Sequence, residues 1–272
     1  MTGRSVQRRG IGIVPAALIV PGVLGLALLV LPVIGLLTRV EWGALPTDLA
    51  SPQVLSALWL SVWTGVVATA LCAATGIPLA LLIHRAGPRI AIALRLAVTI
   101  PLVLPPMVGG VALLSLFGRS SWIGGALEEL GLRIPFTPLA VILAQSFVAM
   151  PFLVLAAESA IRSVDDEYVE AAATLGAGPW QTLRDVTIPL AAPGVLAGVT
   201  LCFARAVGEF GATALFAGNS PGVTQTMPLA IYTAFNGAGV TQGSALALAL
   251  LLLFTAVGVI LLARAWRPGQ VR

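Results

Sequence analysis

Six stretches of this chain carry no charged residue: 15–38, 54–83, 96–118, 134–157, 186–204 and 210–263. A helix rises about 1.5 Å per residue, so the first stretch alone spans roughly 36 Å, more than the ~30 Å hydrocarbon core of a bilayer. The last is too long for one helix. Its middle, 217–243, gathers Gly, Asn, Ser, Pro and Gln, and so reads as the end of a fifth span, a polar loop and a sixth span over about 244–263. The expectation is an all-α integral membrane protein with six transmembrane helices. Arg4, Arg8 and Arg9 precede the first run as in a signal peptide, but that run is too long for one and more membrane follows, so it reads as a retained span. Only 10% of the residues are charged, against about a quarter in soluble domains. One or two water-soluble domains are excluded.

The basic residues orient the spans and remove several chemistries. All fifteen are Arg, so neither a Walker A ATP site nor a Schiff-base lysine is available. Cys72 and Cys202 lie in apolar runs, which excludes a disulfide framework or a CxxC metal site, and the single His84 cannot build a multi-histidine centre. His84 is assigned no role. With the N-terminus in the cytoplasm, the inner segments hold Arg4, Arg8, Arg9, Arg85, Arg89, Arg95, Arg162, Arg184, Arg264, Arg267 and Arg272. The outer ones hold only Arg39, Arg119 and Arg133. That asymmetry satisfies the positive-inside rule with both termini cytoplasmic. A net charge of +4 spread beside apolar runs does not point to nucleic acid.

The one sizeable inner loop, 158–190, carries the most specific pattern. Ser163 with Asp166 three residues on reads as a capping box, and Asp165, Asp166 and Glu167 suit the first turn of a helix. Val169, Ala172, Ala173 and Leu175 give a modest apolar face, with Gly176 as the residue past the helix end. Pro179 then starts a second helix, along which Trp180, Leu183, Val186 and Thr187 recur at helical spacing. Helices that rest on a lipid surface carry Lys or Arg on the polar face, whereas this one is acidic. A protein partner is favoured over an anionic leaflet.

Glu170-Ala171-Ala172, three residues, Gly176, nine residues, then Val186-x-Ile188-Pro189 resembles the EAA loop of binding-protein-dependent ABC importer permeases, with Val186 and Ile188 in place of the pattern's Ile and Leu. A second stretch, Phe203-Ala-Arg205-Ala-Val-Gly208-Glu209-Phe210-Gly211-Ala-Thr213 through Tyr232, looks like the molybdate-type permeases, with sulfate and tungstate permeases related. The resemblance implies a type I importer. Its parts would be a permease homodimer, two cytoplasmic ATPase subunits that bind the ATP, and an extracytoplasmic oxyanion-binding protein, in a bacterial cell membrane. The resemblance also implies that this chain is a non-catalytic subunit with no cofactor of its own. The implied organisation is a cytoplasmic tail at 1–14, a first span and outer loop at 15–53, the permease core at 54–266 and a tail at 267–272. Asp166, Glu167, Tyr168, Glu170, Ala171, Ala172 and Gly176 then become the ATPase-coupling residues.

The translocation path draws on two places. Pro101, Pro105-Pro106 and Gly109-Gly110 interrupt the third span, giving either a bent pore-lining helix or a packing kink. Arg205 and Glu209, four apart on the fifth span, share a face and either line the oxyanion path or lock helix packing as a mutually neutralising pair. Pro105, Pro106, Gly109, Arg205, Glu209 and Gly211 are the candidate path residues. Gly194-x3-Gly198 is a weak close-approach signal. Glu158 either snorkels or pairs with Arg162. Residues 227–235 form a short outer helix or plain loop.

Two rival functions follow from the same residues. Gly218-Asn-Ser220-Pro-Gly222 fits GxSxG, but a nucleophile elbow needs an α/β sheet and a nearby His, and His84 falls on the opposite membrane face. A self-sufficient secondary transporter would show inverted repeats, and the two halves show no convincing similarity.

Overall fold

The computed structural model describes residues 16–265. The tails expected at 1–14 and 267–272, with Arg4, Arg8, Arg9, Arg267 and Arg272, lie outside the described residues, as does position 266. Every regular element among the described residues is helical, with no strand. The chain divides into two units, 1–41 and 42–272. The first holds α1 (Ile19–Thr38), whose 20 residues are apolar on every side, the pattern of a helix whose solvent is lipid.

The second unit is built around α7 (Pro138–Arg162). Against it pack α3 (Pro52–Arg85), α4 (Pro88–Val103), α5 (Pro106–Phe117), α10 (Ile188–Val207) and α11 (Gly211–Phe216). Small residues set these distances. Ala140, Ala144, Ala149 and Ala157 of α7 are fully buried. A Cβ added to Gly194 or Gly198 would lie only 2.5 Å from the Ala160 Cβ or 2.8 Å from the Ala156 Cβ. The Gly-x3-Gly spacing therefore does bring α10 and α7 together, by backbone approach in a medium without a hydrophobic drive between helices.

Four helices are long and apolar enough to cross a membrane: Ile19–Thr38, Pro52–Arg85, Pro138–Arg162 and Pro179–Val207. A fifth span is counted if the bent pair Pro88–Val103 and Pro106–Phe117 is one crossing. The six spans expected from charge-free runs thus reduce to four or five by this measure. The sixth run contributes a helix, α13 (Gln242–Ala265), of 24 residues. The chain turns by 112° between α4 and α5. Pro105 and Pro106 lack N–H groups, and residues preceding proline avoid the helical region. Leu104 and Pro105 accordingly take extended ψ values of 133° and 134°.

The fifth span departs most from expectation. It begins at Pro179 rather than near 186, since α9 (Pro179–Thr182) runs without a loop through a π turn, Leu183–Thr187, into α10. The Ile188 N–H donates to Leu183 O, five residues back. The helix then ends at Gly208, so Glu209 lies beyond it and not on its face. On the far side, α12 (Met227–Phe235) is a helix, anchored by its Met227 N–H donating to Ser61 Oγ at 2.7 Å. Asp48, from α2 (Leu45–Leu49), accepts from Ser244 Oγ in the first turn of α13 at 2.9 Å.

Candidate coupling and translocation sites

The loop between α7 and α10 folds into a knob. Its helix α8 (Asp166–Thr174) is capped by Asp165, whose Oδ1 accepts from the Glu167 N–H at 3.4 Å. Ser163 is not the cap: α7 extends to Arg162, so Ser163 ends that helix and its hydroxyl donates to Ala160 O. Both residues offer a capping oxygen, and the longer helix decides between them. At the other end the Gly176 N–H donates to Ala173 O and the Ala177 N–H to Ala172 O, each at 3.0 Å, closing a Schellman turn. Gly176 takes φ +85°, as its position past the helix end requires.

The knob turns its side chains outward. Asp166, Glu167, Tyr168, Glu170, Ala171 and Gly176 are exposed, and Ala172 is half-buried. Leu175 and Trp180 extend this surface, being 89% and 72% exposed. Of the residues that recur at helical spacing after Pro179, Leu183 is buried while Trp180 is not. Two large apolar side chains beside an acidic helix, uncovered within the chain, make a surface suited to another protein. Behind the knob a cavity of about 110 Å³ is lined by Asp166 and Val169 of α8, His84 and Arg85 at the end of α3, and Thr182 and Thr187. His84, which had no role in the sequence reading, thus faces the back of the knob.

Further along α7, the Glu158 side chain is nearly buried and one oxygen serves two guanidinia. Arg162 is the expected i+4 partner. Arg95 of α4, whose Nη2 lies at 2.7 Å, is the partner that sequence spacing missed. In the sequence Arg95 borders the charge-free run 96–118 and counts among the inner arginines, so no local signal marked it as a counter-ion.

The path candidates fall into three groups. Pro105 and Pro106 are exposed at the bend. Gly109, Gly110 and Gly211 seat α5 between α7 and α11: an added Cβ would meet Phe147 Cε1 at 2.9 Å, Ala212 O at 2.7 Å and the Met107 N at 3.1 Å respectively. Arg205 Nη2 and Glu209 Oε2 lie 2.7 Å apart, so the pair forms although one partner is outside the helix. The other Glu209 oxygen accepts from the Ala212 N–H at 2.8 Å, capping α11. The break after α10, the start of α11 and the start of α5 therefore converge. Ser220 of the GxSxG match lies in a loop, without the strand that an elbow needs.

A helical bundle with a sharply bent apolar helix pair, an exposed knob and an ion pair near a helix break is the architecture of a membrane permease. Its fold is that of ABC importer permeases. A bacterial alginate ABC transporter solved with an alginate pentasaccharide-bound periplasmic protein superposes with a TM-score of 0.68 at 19% identity, over 92% of this chain and 91% of that one. The chain belongs to the family of binding-protein-dependent transport system inner membrane components, whose profile matches residues 76–269. Among its relatives, the molybdenum transport system permease protein ModB of Mycobacterium tuberculosis is 44% identical over 248 residues, 91% of this chain and 92% of that one. A probable molybdenum ABC transporter permease protein of Haloferax volcanii is 40% identical over 250 residues, 91% and 88% of the two chains.

Proposed function

We propose that this chain is the membrane-spanning subunit of an ATP-driven importer for molybdate or a similar tetrahedral oxyanion, tungstate or sulfate among them. The observation that carries this reading is the match, over about nine-tenths of both chains, to a permease named for molybdenum. The exposed knob supports the division of labour, since the chain has no Lys and hence no Walker A loop of its own. In this reading Asp166, Glu167, Tyr168, Glu170, Ala171, Ala172 and Gly176 enter a groove of a separate ATPase subunit, which binds the ATP. Two permease copies pair, two ATPases sit in the cytoplasm, and a binding protein delivers the oxyanion to the outer loops.

The six spans are then α1, α3, the bent pair α4–α5, α7, Pro179–Val207 and α13, in a bacterial cell membrane with both termini cytoplasmic. The core occupies 54–266. Closure of the ATPases moves the knobs and opens the path outward, and hydrolysis restores the inward-open state. Pro105, Pro106, Gly109, Arg205, Glu209 and Gly211 surround that path. The test is radiolabelled molybdate uptake into liposomes holding the permease with its ATPase and binding protein. Uptake is expected only with all three and ATP. Uptake by the permease alone would replace this reading with a secondary transporter.

A further inference from the structure

The ion pair at the end of α10 places its two charges unequally, and the consequence deepens the importer reading on which it rests. Glu209 is 1% exposed, and both its oxygens are committed within the protein, one to Arg205 and one to the Ala212 N–H. The Arg205 side chain is 26% exposed, and among the described residues only its Nη2 has a partner. It stands on the face of α10 that the chain leaves open, with Leu201 half exposed and Gly208 exposed, while Gly198, Cys202 and Ala206 turn inward. The carboxylate is thus sealed away and the guanidinium presents its free donors outward.

We propose that Arg205 is the cation that meets the tetrahedral oxyanion inside the membrane, and that Glu209 is a positioning residue that never touches it. A dianion leaving water for an apolar span needs hydrogen-bonded counter-charge, and a guanidinium offers paired donors matched to two oxyanion oxygens. An arginine with no partner would hold the anion too well, and passage needs a site that is easy to leave. Glu209 neutralises the resting site and fixes the guanidinium. Its tie to Ala212 keeps the carboxylate from swinging toward the anion. Repulsion between Glu209 and the cargo, the objection to an acidic residue on this path, is removed by burial.

The experiment uses the complete complex in liposomes and reads molybdate imported per ATP hydrolysed. In the double variant Arg205→Met with Glu209→Gln no ion is left unpaired, and the glutamine oxygen still accepts from Ala212. Its complex is expected to assemble, with import per ATP at least tenfold lower. Arg205→Lys keeps the charge without the planar fork, and its expected ratio lies between the two. Glu209→Gln alone uncovers the Arg205 charge, so inorganic phosphate sealed inside the liposomes is expected to inhibit this complex at least threefold more than the unaltered one. Normal import per ATP by the double variant, or its failure to assemble, would make the pair a packing lock and overturn the proposal. Equal phosphate sensitivity would overturn the positioning role. An unaltered complex that imports no oxyanion would overturn the importer reading and this proposal together, a pattern distinct from normal import by the double variant.

Discussion

At Glu158 a single carboxylate oxygen joins α4 to α7 by receiving both Arg95 and Arg162. Removing the shared partner of a buried ion cluster costs about 3–5 kcal/mol when the remaining charges stay buried. Here the arginine side chains are 35% and 58% exposed, so water takes over part of the loss and about 1–2 kcal/mol remains. Glu158→Gln is expected to lower the thermal midpoint of the detergent-solubilised protein, and an unchanged midpoint would show that the tie adds nothing. The Arg162 contact was readable from i+4 spacing, but Arg95 was not, because 63 residues separate it from Glu158. Ser163 and Asp165 illustrate the converse limit. A local capping pattern names candidates, and the length of the preceding helix selects among them. Arg205 and Glu209 kept the spacing of a helical pair after the helix had ended, so the pairing was foreseen for a reason that the backbone does not share.

Among the elements, α8 was the most readable, because its glycine stop and the proline after it are dictated by short-range chemistry, although its cap falls at Asp165, two residues after the Ser163 that the local pattern named. A Cβ at Gly176 would meet nothing within 4 Å, so a substitution there acts through the positive φ and through any charge it brings. Gly176→Asp adds about 1–2 kcal/mol of left-handed strain and places a negative charge at the negative end of the α8 dipole. Membrane insertion is expected to be normal while molybdate uptake is lost, and normal uptake would count against a coupling role for the knob. The short helix α6 (Trp122–Glu129) offers a pH test. The Arg119 guanidinium, hydrogen-bonded to Glu128, holds that carboxyl below the usual carboxylate range, against the opposing effect of burial and with help from Arg133. A folded-state value below the unfolded one gives stabilisation that is complete above the unfolded range and fades as pH falls through the depressed value. Amide protection in this segment, taken relative to the intrinsic exchange rate at each pH, is therefore expected to fall in acid. In Arg119→Gln the loss of protection should begin at higher pH, and an unshifted onset would remove Glu128 as its cause.

For the molecule as a whole, the charge-free runs located the apolar helices, and the prolines located the 112° bend between α4 and α5. What they could not supply was the arrangement around α7, which rests on alanine and glycine contacts between segments far apart in sequence. They also could not separate a span from its continuation, since no polar residue marks the point where α10 gives way to α11 except Glu209 itself. The uninterrupted helix from Pro179 to Val207 has a mechanical consequence. Its 29 residues measure about 43 Å, with the knob attached at one end and the guanidinium of Arg205 at the other. In the importer reading proposed above, such a rod would serve as a crankshaft between the knob and Arg205, and the wider turn at Leu183–Thr187, close to the knob, is where it would wind or unwind.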